Sequence, residues 1–321
     1  MSTPPPAPYG DFVLPFDIAK AGVRGRLVRL DASSARALSA HQLPEAAARV
    51  AGETLALAAM LGTALKLDGR LTVQTKSDGP LDLVAADYYG SEAVQAEEVK
   101  TESWGAGSRR GVRGYARVDE KRASEAPDFA GLIGKGSMAI TIEPQRGGNT
   151  YQGIVALDGA GIAASAENYF AQSEQLPTAI RLAAGPLFVA GEKAPRWRAG
   201  GLMLQMTPEV AKPGAAPEDR ISSDDWTRLS LLLKTVDDLE LLDTALAPET
   251  VLWRLFNEDE VRVQPPLPIA FRCDCDAARI VQILKGYGET ERATLADPDG
   301  VIRATCEFCG TVHQVTPDDL A

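Results

Sequence analysis

All four cysteines of this 321-residue chain lie in one 37-residue window near its C-terminal end. They form two pairs, Cys273-Asp274-Cys275 and Cys306-Glu307-Phe308-Cys309, with thirty residues between them. Thiolates spaced Cys-x-Cys and Cys-x-x-Cys each reach two corners of one tetrahedron, the soft donor set and the geometry that zinc selects. Gly310 follows the second pair, where a tight knuckle needs a residue without Cβ strain. One Zn2+ held by Cys273, Cys275, Cys306 and Cys309 is therefore expected. Incidental thiol pairs or plain disulfides are the rival reading. Randomly placed cysteines would not leave the first 272 residues empty and then cluster.

Such a centre can do two kinds of work. A closed four-cysteine site is most often structural. A thiolate is also both the metal ligand and the oxidisable species, so oxidation removes the donors the metal needs. Apparent zinc-binding energy in small modules is about 10–16 kcal/mol and is largely folding energy. Loss of the metal would unfold such a module. Spacing alone does not separate the two roles.

The elements that must position these residues can be read upstream. Gly25–Leu30 alternates like a strand, and Ser34 is placed to cap a short helix running to about Ser39. Pro44 suits the first position of a longer helix reaching Leu65. That helix is apolar nearly all round, but Arg49 and Glu53 lie four apart inside it and Gly52 and Gly62 interrupt it, which argues for burial in a globular core rather than a membrane span. Leu71–Thr75 and Leu81–Ala85 flank turn residues and predict a hairpin. Further strands are expected at Gly114–Val118, Met138–Ile142, Tyr151–Leu157, Ile180–Ala184 and Leu202–Met206, with a helix over Ala164–Ser173. Hairpin-like pairs with inserted helices indicate α+β rather than a doubly wound sheet.

From Pro213 to Pro217 the chain turns Pro/Ala-rich, as at the exit from a domain. Three short helices are then expected. Ser223 caps the first, with Trp226, Leu229, Leu232 and Leu233; the second offers Val236, Leu239, Leu242 and Leu246; Pro248 starts the third, with Val251, Leu252, Leu255 and Phe256. Between Pro217 and Glu260 there are twelve acidic and four basic residues, a net of −8. Apolar stripes favour docking while like charge favours detachment. Pro265-Pro266-Leu267-Pro268 marks the next boundary. Beyond it, Asp276 caps a helix with Ala277, Ile280, Val281 and Leu284, ended by Gly286 and Gly288. Strands at Val301–Ala304 and Thr311–Val315 flank the second cysteine pair. The expected division is an N-terminal mixed sheet-and-helix core (1–215), an acidic helical linker (216–265) and a small zinc module (266–321).

Composition narrows the function. The formal net charge of −11 argues against a phosphate-backbone binder. Residues 1–12 read as a proline-rich, poorly ordered lead, and Met1 to Gly10 lack the apolar core of a secretory signal. Clustered free thiols fit a reducing compartment, so a soluble cytoplasmic protein is expected, without membrane or nucleic-acid partners. Gly131–Ser137 resembles a phosphate loop, but Gly136 separates Lys135 from Ser137 and breaks the spacing, which leaves a tight turn before the strand at Met138. Arg109, Arg110 and Arg113, among Gly107, Gly111 and Gly114, read as a solvated basic loop. The only histidines are His41, at the start of the long helix, and His313, a bystander to the cysteines; no catalytic triad is visible.

The order Phe271-Arg272-Cys273-Asp274-Cys275 and then Cys306-Glu307-Phe308-Cys309-Gly310 resembles the redox switch of the heat shock protein 33 family, bacterial redox-regulated holdase chaperones. The resemblance continues in Tyr151–Leu157, Glu167–Phe170, Ser173–Thr178, Gly200–Gln205 and Leu252–Glu258, in the family's order and over almost the full length. It implies an ATP-independent holdase, not an enzyme. Zinc is held when reduced; disulfides Cys273–Cys275 and Cys306–Cys309 form on oxidation, zinc leaves, and the linker unfolds. It further implies unfolding client proteins as partners and a homodimer when oxidised. A disulfide across a few residues recovers little chain entropy, so oxidation should melt the module rather than lock it. Two rivals come from other classes. A zinc-ribbon adapter for nucleic acid is disfavoured by the net −4 of residues 266–321. A thiol oxidoreductase at Cys306 and Cys309 lacks a thioredoxin-like setting.

Overall fold

The computed structural model describes residues 10–65, 67–90, 110–126, 128–145, 147–188, 195–207 and 223–320. The lead through Tyr9, Gly107, Arg109 and the Pro213–Pro217 exit lie outside the described residues. In chain order the first strands and helices are β1 (Phe12–Ile18), β2 (Val23–Leu30), α1 (Ala32–Ser39), α2 (Glu45–Ala64), β3 (Gly69–Ser77), β4 (Leu81–Gly90) and β5 (Gly111–Val118). Then come α3 (Glu120–Ala123), α4 (Phe129–Ile133), β6 (Gly136–Pro144), β7 (Tyr151–Ala156), α5 (Ile162–Tyr169), β8 (Thr178–Leu187) and β9 (Arg196–Met206). They are followed by α6 (Ser223–Lys234), α7 (Asp238–Leu242), α8 (Pro248–Phe256), β10 (Val261–Val263), β11 (Leu267–Pro268) and β12 (Ala270–Phe271).

Helix α2 organises this part of the molecule because its sequence leaves it no polar face. Fifteen of its twenty residues are buried, and a helix apolar all round must be covered on all sides. Two sheets and α1 cover it. One sheet runs β10-β1-β2-β9-β8, with β11 also on β1; the other runs β12-β5-β4-β3-β6-β7. All pairs are antiparallel except β12 on β5. Gly62 does not interrupt α2; a Cβ there would stand 2.0 Å from the Tyr88 ring, so glycine lets β4 approach. Arg49 leaves the apolar layer by donating to the Ala184 carbonyl at 2.8 Å. Among the described residues no helix is long and apolar enough to cross a membrane.

The first sheet has two buried faces, and the period of two along β1 separates them. Val13 joins the cluster around α2, while Phe12, Leu14, Phe16 and Ile18 join a second cluster on the opposite face. That second face is covered by Leu229 and Leu233 of α6, Leu241 of α7, and Val251, Leu252, Leu255 and Phe256 of α8. The acidic helices therefore form a fourth layer over an apolar sheet. Polar ties fix the layer at its margins. Arg29 reaches three of its carbonyls, Arg228 meets Asp259 through two bonds of 2.9 and 2.7 Å, and Arg181 meets Asp238 at 2.5 Å.

The described chain separates into two compact units, Met1–Phe271 and Arg272–Ala321. The second contains α9 (Ala277–Lys285), α10 (Glu289–Leu295), β13 (Ile302–Thr305) and β14 (Val312–Val315), with β13 and β14 paired as a hairpin. Its apolar core is small: Leu284, Ile302 and Val315 are buried, with Ile280, Val281, Ala296 and Leu320 packed around them.

The α+β architecture matches expectation, with local differences that have physical reasons. The expected lead over residues 1–12 does not reach that far: Asp11 and Phe12 are buried and Phe12 opens β1, a strand with Pro15 in its middle. The neighbouring chain skips that residue: β10 pairs with Phe16–Ile18, β11 with Phe12–Val13, and the Pro15 carbonyl accepts from Gln264 N at 2.9 Å. Ser34 does not cap α1. It lies inside the helix, its hydroxyl 2.7 Å from both the Leu30 and Trp197 carbonyls. Asp11 caps instead, accepting from the N–H groups of Asp31, Ala32 and Ser33. Leu239 is 76% exposed and Leu241 is the buried residue of α7, because the capping box of Asp237 and Glu240 fixes a different phase. Arg113 is no solvated loop residue; β5 begins at Gly111, and Arg113 Nε donates to the buried Asp87 carboxylate at 2.8 Å. The turn expected within Gly131–Ser137 is confined to Gly134 and Lys135: α4 runs to Ile133, Gly134 has φ +59 and β6 starts at Gly136. Glu289–Leu295, where no helix was expected, is α10, opened by Glu291 accepting from Gly288 N.

Candidate metal centre

The four cysteines come from two loops that the small unit holds together. Cys273 and Cys275 precede α9, whose first turn is capped by Asp276 accepting from Ala278 N at 3.0 Å. Partial positive charge at a helix N-terminus favours a nearby thiolate. Cys306 and Cys309 occupy the turn between β13 and β14. That turn is closed by Cys306 N donating to Thr311 O and Gly310 N donating to Cys306 O, both at 2.8 Å. Gly310 has φ +69, the left-handed conformation that the knuckle requires and that glycine adopts without penalty.

The two halves of the pattern meet. Cys273 Sγ lies 3.6 Å from Cys306 Sγ, and Cys275 Sγ lies 3.5 Å from Cys309 Sγ. All four sulfurs are within 4.8 Å of one another. A regular tetrahedron with metal–sulfur bonds of about 2.3 Å has edges of about 3.8 Å, so the sulfurs fit one ion at their centre. His313, on β14, is not part of this group.

The thiols differ in acidity. Burial pushes Cys309 up, but the Thr311 hydroxyl 3.2 Å away, the Thr311 N–H and the Cys275 and Cys306 thiols outweigh it and bring it down to about 6. Burial raises both Cys273 and Cys275, and their sulfur neighbours add to it. The thiolate, the form that binds a metal or reacts with an oxidant, is thus favoured at Cys309 over Cys273 and Cys275. Thr311 was not singled out from the sequence; the only signal was its position two residues after Cys309.

Fold and site together define a class: a layered α+β unit with an acidic helical cover, followed by a small unit built on four convergent cysteines that can hold a metal ion. Comparison with known proteins supplies the family. The family model described as Hsp33 protein matches residues 11–316. A protein named 33 kDa chaperonin from Caulobacter vibrioides is 37% identical over 313 residues, covering 96% of this chain and 95% of the relative. One of the same name from Pseudomonas syringae pv. syringae is 36% identical, covering 98% and 93%. The crystal structure of the 33 kDa chaperonin (heat shock protein 33 homolog) from Thermotoga maritima superposes with a TM-score of 0.71 at 22% identity, covering 97% of both chains. The chain belongs to the Hsp33 family.

Proposed function

We propose that this protein is a cytoplasmic, ATP-independent holdase chaperone, activated by oxidation, and that it is not an enzyme. Residues 1–215 form the client-binding core, 216–265 the linker, and 266–321 the redox switch. In the reduced state Cys273, Cys275, Cys306 and Cys309 hold one Zn2+, which folds a unit with little core of its own. An oxidant takes two electrons from each thiol pair and forms Cys273–Cys275 and Cys306–Cys309. The donors are then lost, zinc leaves and the module melts. The acidic helices release from the core, and the oxidised protein, as a homodimer, holds unfolding proteins on the apolar surface.

The observation that carries this reading is the second cluster. Phe12, Leu14, Phe16, Ile18, Leu27, Leu202 and Leu204 form one apolar face of a sheet, and it is covered by helices from a stretch of net charge −8. An apolar sheet face of this kind, once uncovered, is a binding surface for non-native chains. Light scattering from a chemically unfolded client tests it. Peroxide-treated protein should suppress aggregation, reduced zinc-loaded protein should not, and reductant with zinc should reverse the effect. Two inert forms would leave the metal structural and contradict the chaperone reading.

A further inference from the structure

A cavity of about 370 Å3 lies at the C-terminal end of α2, away from the face that α6–α8 cover. Leu61, Leu71, Ile142 and Met203 wall it, drawn from the helix and both sheets. One carboxylate stands in this lining. Glu174 is the last residue of a π-helical turn, Phe170–Glu174, that widens the end of α5 where a regular helix was expected. The next residue, Gln175, has φ +54 and is the only non-glycine with positive φ among the described residues. Wide turns of this kind and left-handed non-glycine residues concentrate at functional sites, because neither forms without local compensation. Here the irregular backbone brings Glu174 Oε1 to the Tyr151 hydroxyl at 3.2 Å and the Tyr169 hydroxyl at 3.1 Å, both donating. Among the described residues Glu174 has no cationic partner. The cavity is apolar, with one fixed and unneutralised negative charge.

A second feature adjoins it. Strand β7 is the last strand of its sheet among the described residues, and Tyr151 belongs both to that strand and to the cavity lining. Gln152 and Ile154 of the strand are exposed, Ile154 by 61%. An edge strand offers unpaired N–H and C=O groups to an extended chain, while adjacent pockets select its side chains.

We propose that this cavity and the β7 edge bind an extended polypeptide in which an apolar side chain is adjacent to lysine or arginine. The main chain pairs with β7, the apolar side chain enters between Leu71, Ile142 and Met203, and the cation meets Glu174. This deepens the chaperone reading and rests on it for polypeptide as the ligand. It gives the core a charge preference that an apolar sheet face alone does not have.

The test is fluorescence anisotropy on the full-length, reduced, zinc-loaded protein, in which α6–α8 still cover the second cluster and a short peptide reports this pocket alone; holding an unfolding client also needs the uncovered sheet face. The probes are a capped, labelled octapeptide with Leu-Lys at its centre and a twin with Leu-Glu. The Leu-Lys peptide should bind at least fivefold more tightly. Glu174→Gln, at an exposed position, should bring the two peptides within twofold of each other at an unchanged thermal midpoint. Tyr169→Phe should narrow the preference in the same direction. Leu65→Gln, at the half-exposed rim, should weaken both peptides threefold or more. Equal binding of the two peptides to the unsubstituted protein, or a preference that survives Glu174→Gln, overturns the proposal. So does sedimentation showing the edge occupied by a second copy that the peptides do not displace. Suppression of aggregation by the oxidised protein is measured independently, so the pocket can fail while the chaperone reading stands, and the reverse.

Discussion

Arg29 Nε donates to the carbonyl of Leu241 at 3.1 Å, joining residues 212 positions apart. The same guanidinium donates to the carbonyls of Glu240, at 2.8 Å, and Leu246. One cation of β2 therefore satisfies the carbonyls where α7 ends and the chain turns toward α8. Burial pulls its pKa down to about 10, opposed by Asp243 and Glu249, so it stays charged at neutral pH. Arg29→Met would leave three carbonyls without their donor. A loss of about 3 kcal/mol is expected for charged hydrogen bonds of this kind. Urea unfolding should show it, and limited proteolysis of the reduced protein should cut between Thr235 and Ala247 much faster than in the parent.

Phe16 and Phe256 stack at 6.3 Å between ring centroids, each about 1% exposed. They are the aromatic contact between β1 and α8. Phe256→Ala should cost about 3–5 kcal/mol, the usual range for emptying a core aromatic site. Binding of an apolar dye to the reduced protein should rise as α8 loosens. Unchanged dye binding with an unchanged denaturation midpoint would show that α8 does not depend on this contact.

Glu53 gives stability a pH dependence. It lies on α2 beside Arg49 and Asp128 in a second cavity. Burial, partly offset by Arg49, with Asp238 adding to it, raises it from 4.5 to about 7. The folded protein then holds a proton that the unfolded chain gives up above pH 4.5. This contribution is complete below that pH and is lost as pH rises through 7. At about 1.4 kcal/mol per pKa unit, the loss is at most about 3 kcal/mol. The thermal midpoint should fall between pH 5 and pH 8, and Glu53→Gln should flatten that slope and raise stability at pH 8.

Removing the metal should act on one unit. The core around Leu284, Ile302 and Val315 is too small to fold well unaided. Chelation of the reduced protein should unfold residues 272–321 while the α2 core keeps its amide protection. Cys306→Ser should lower zinc affinity at least a hundredfold in competition with a chromogenic chelator. Undiminished affinity would count against the tetrahedral site.

The sequence displayed the cysteines and the long helix most clearly, because each has a local signature. The spacing of Cys273, Cys275, Cys306 and Cys309 needs no tertiary information, and neither does an all-apolar run such as 55–61. The Val251, Leu252, Leu255 and Phe256 stripe was legible for the same reason, and all four are buried. What escaped depends on distant partners. Pro15 interrupts the strand pattern of β1, and the gap between β10 and β11 that accommodates it lies some 250 residues away. Asp11 caps α1 from outside the helix, so no helix-start pattern contains it. Arg29 is one arginine among others in an alternating stretch until its carbonyl partners are placed. The π-helical turn Phe170–Glu174 has no sequence period of its own, and the helix expected over Ala164–Ser173 stopped one residue short of Glu174.

The central claim is that the thiol state governs whether α6–α8 cover the apolar face of β1, β2, β8 and β9. Amide hydrogen exchange, followed together with zinc release during peroxide treatment, tests it most directly. Protection across residues 223–256 should be high in the reduced, zinc-loaded protein and should collapse as zinc leaves, while α2 stays protected. Protection of α6–α8 that persists after the zinc has gone would contradict the account.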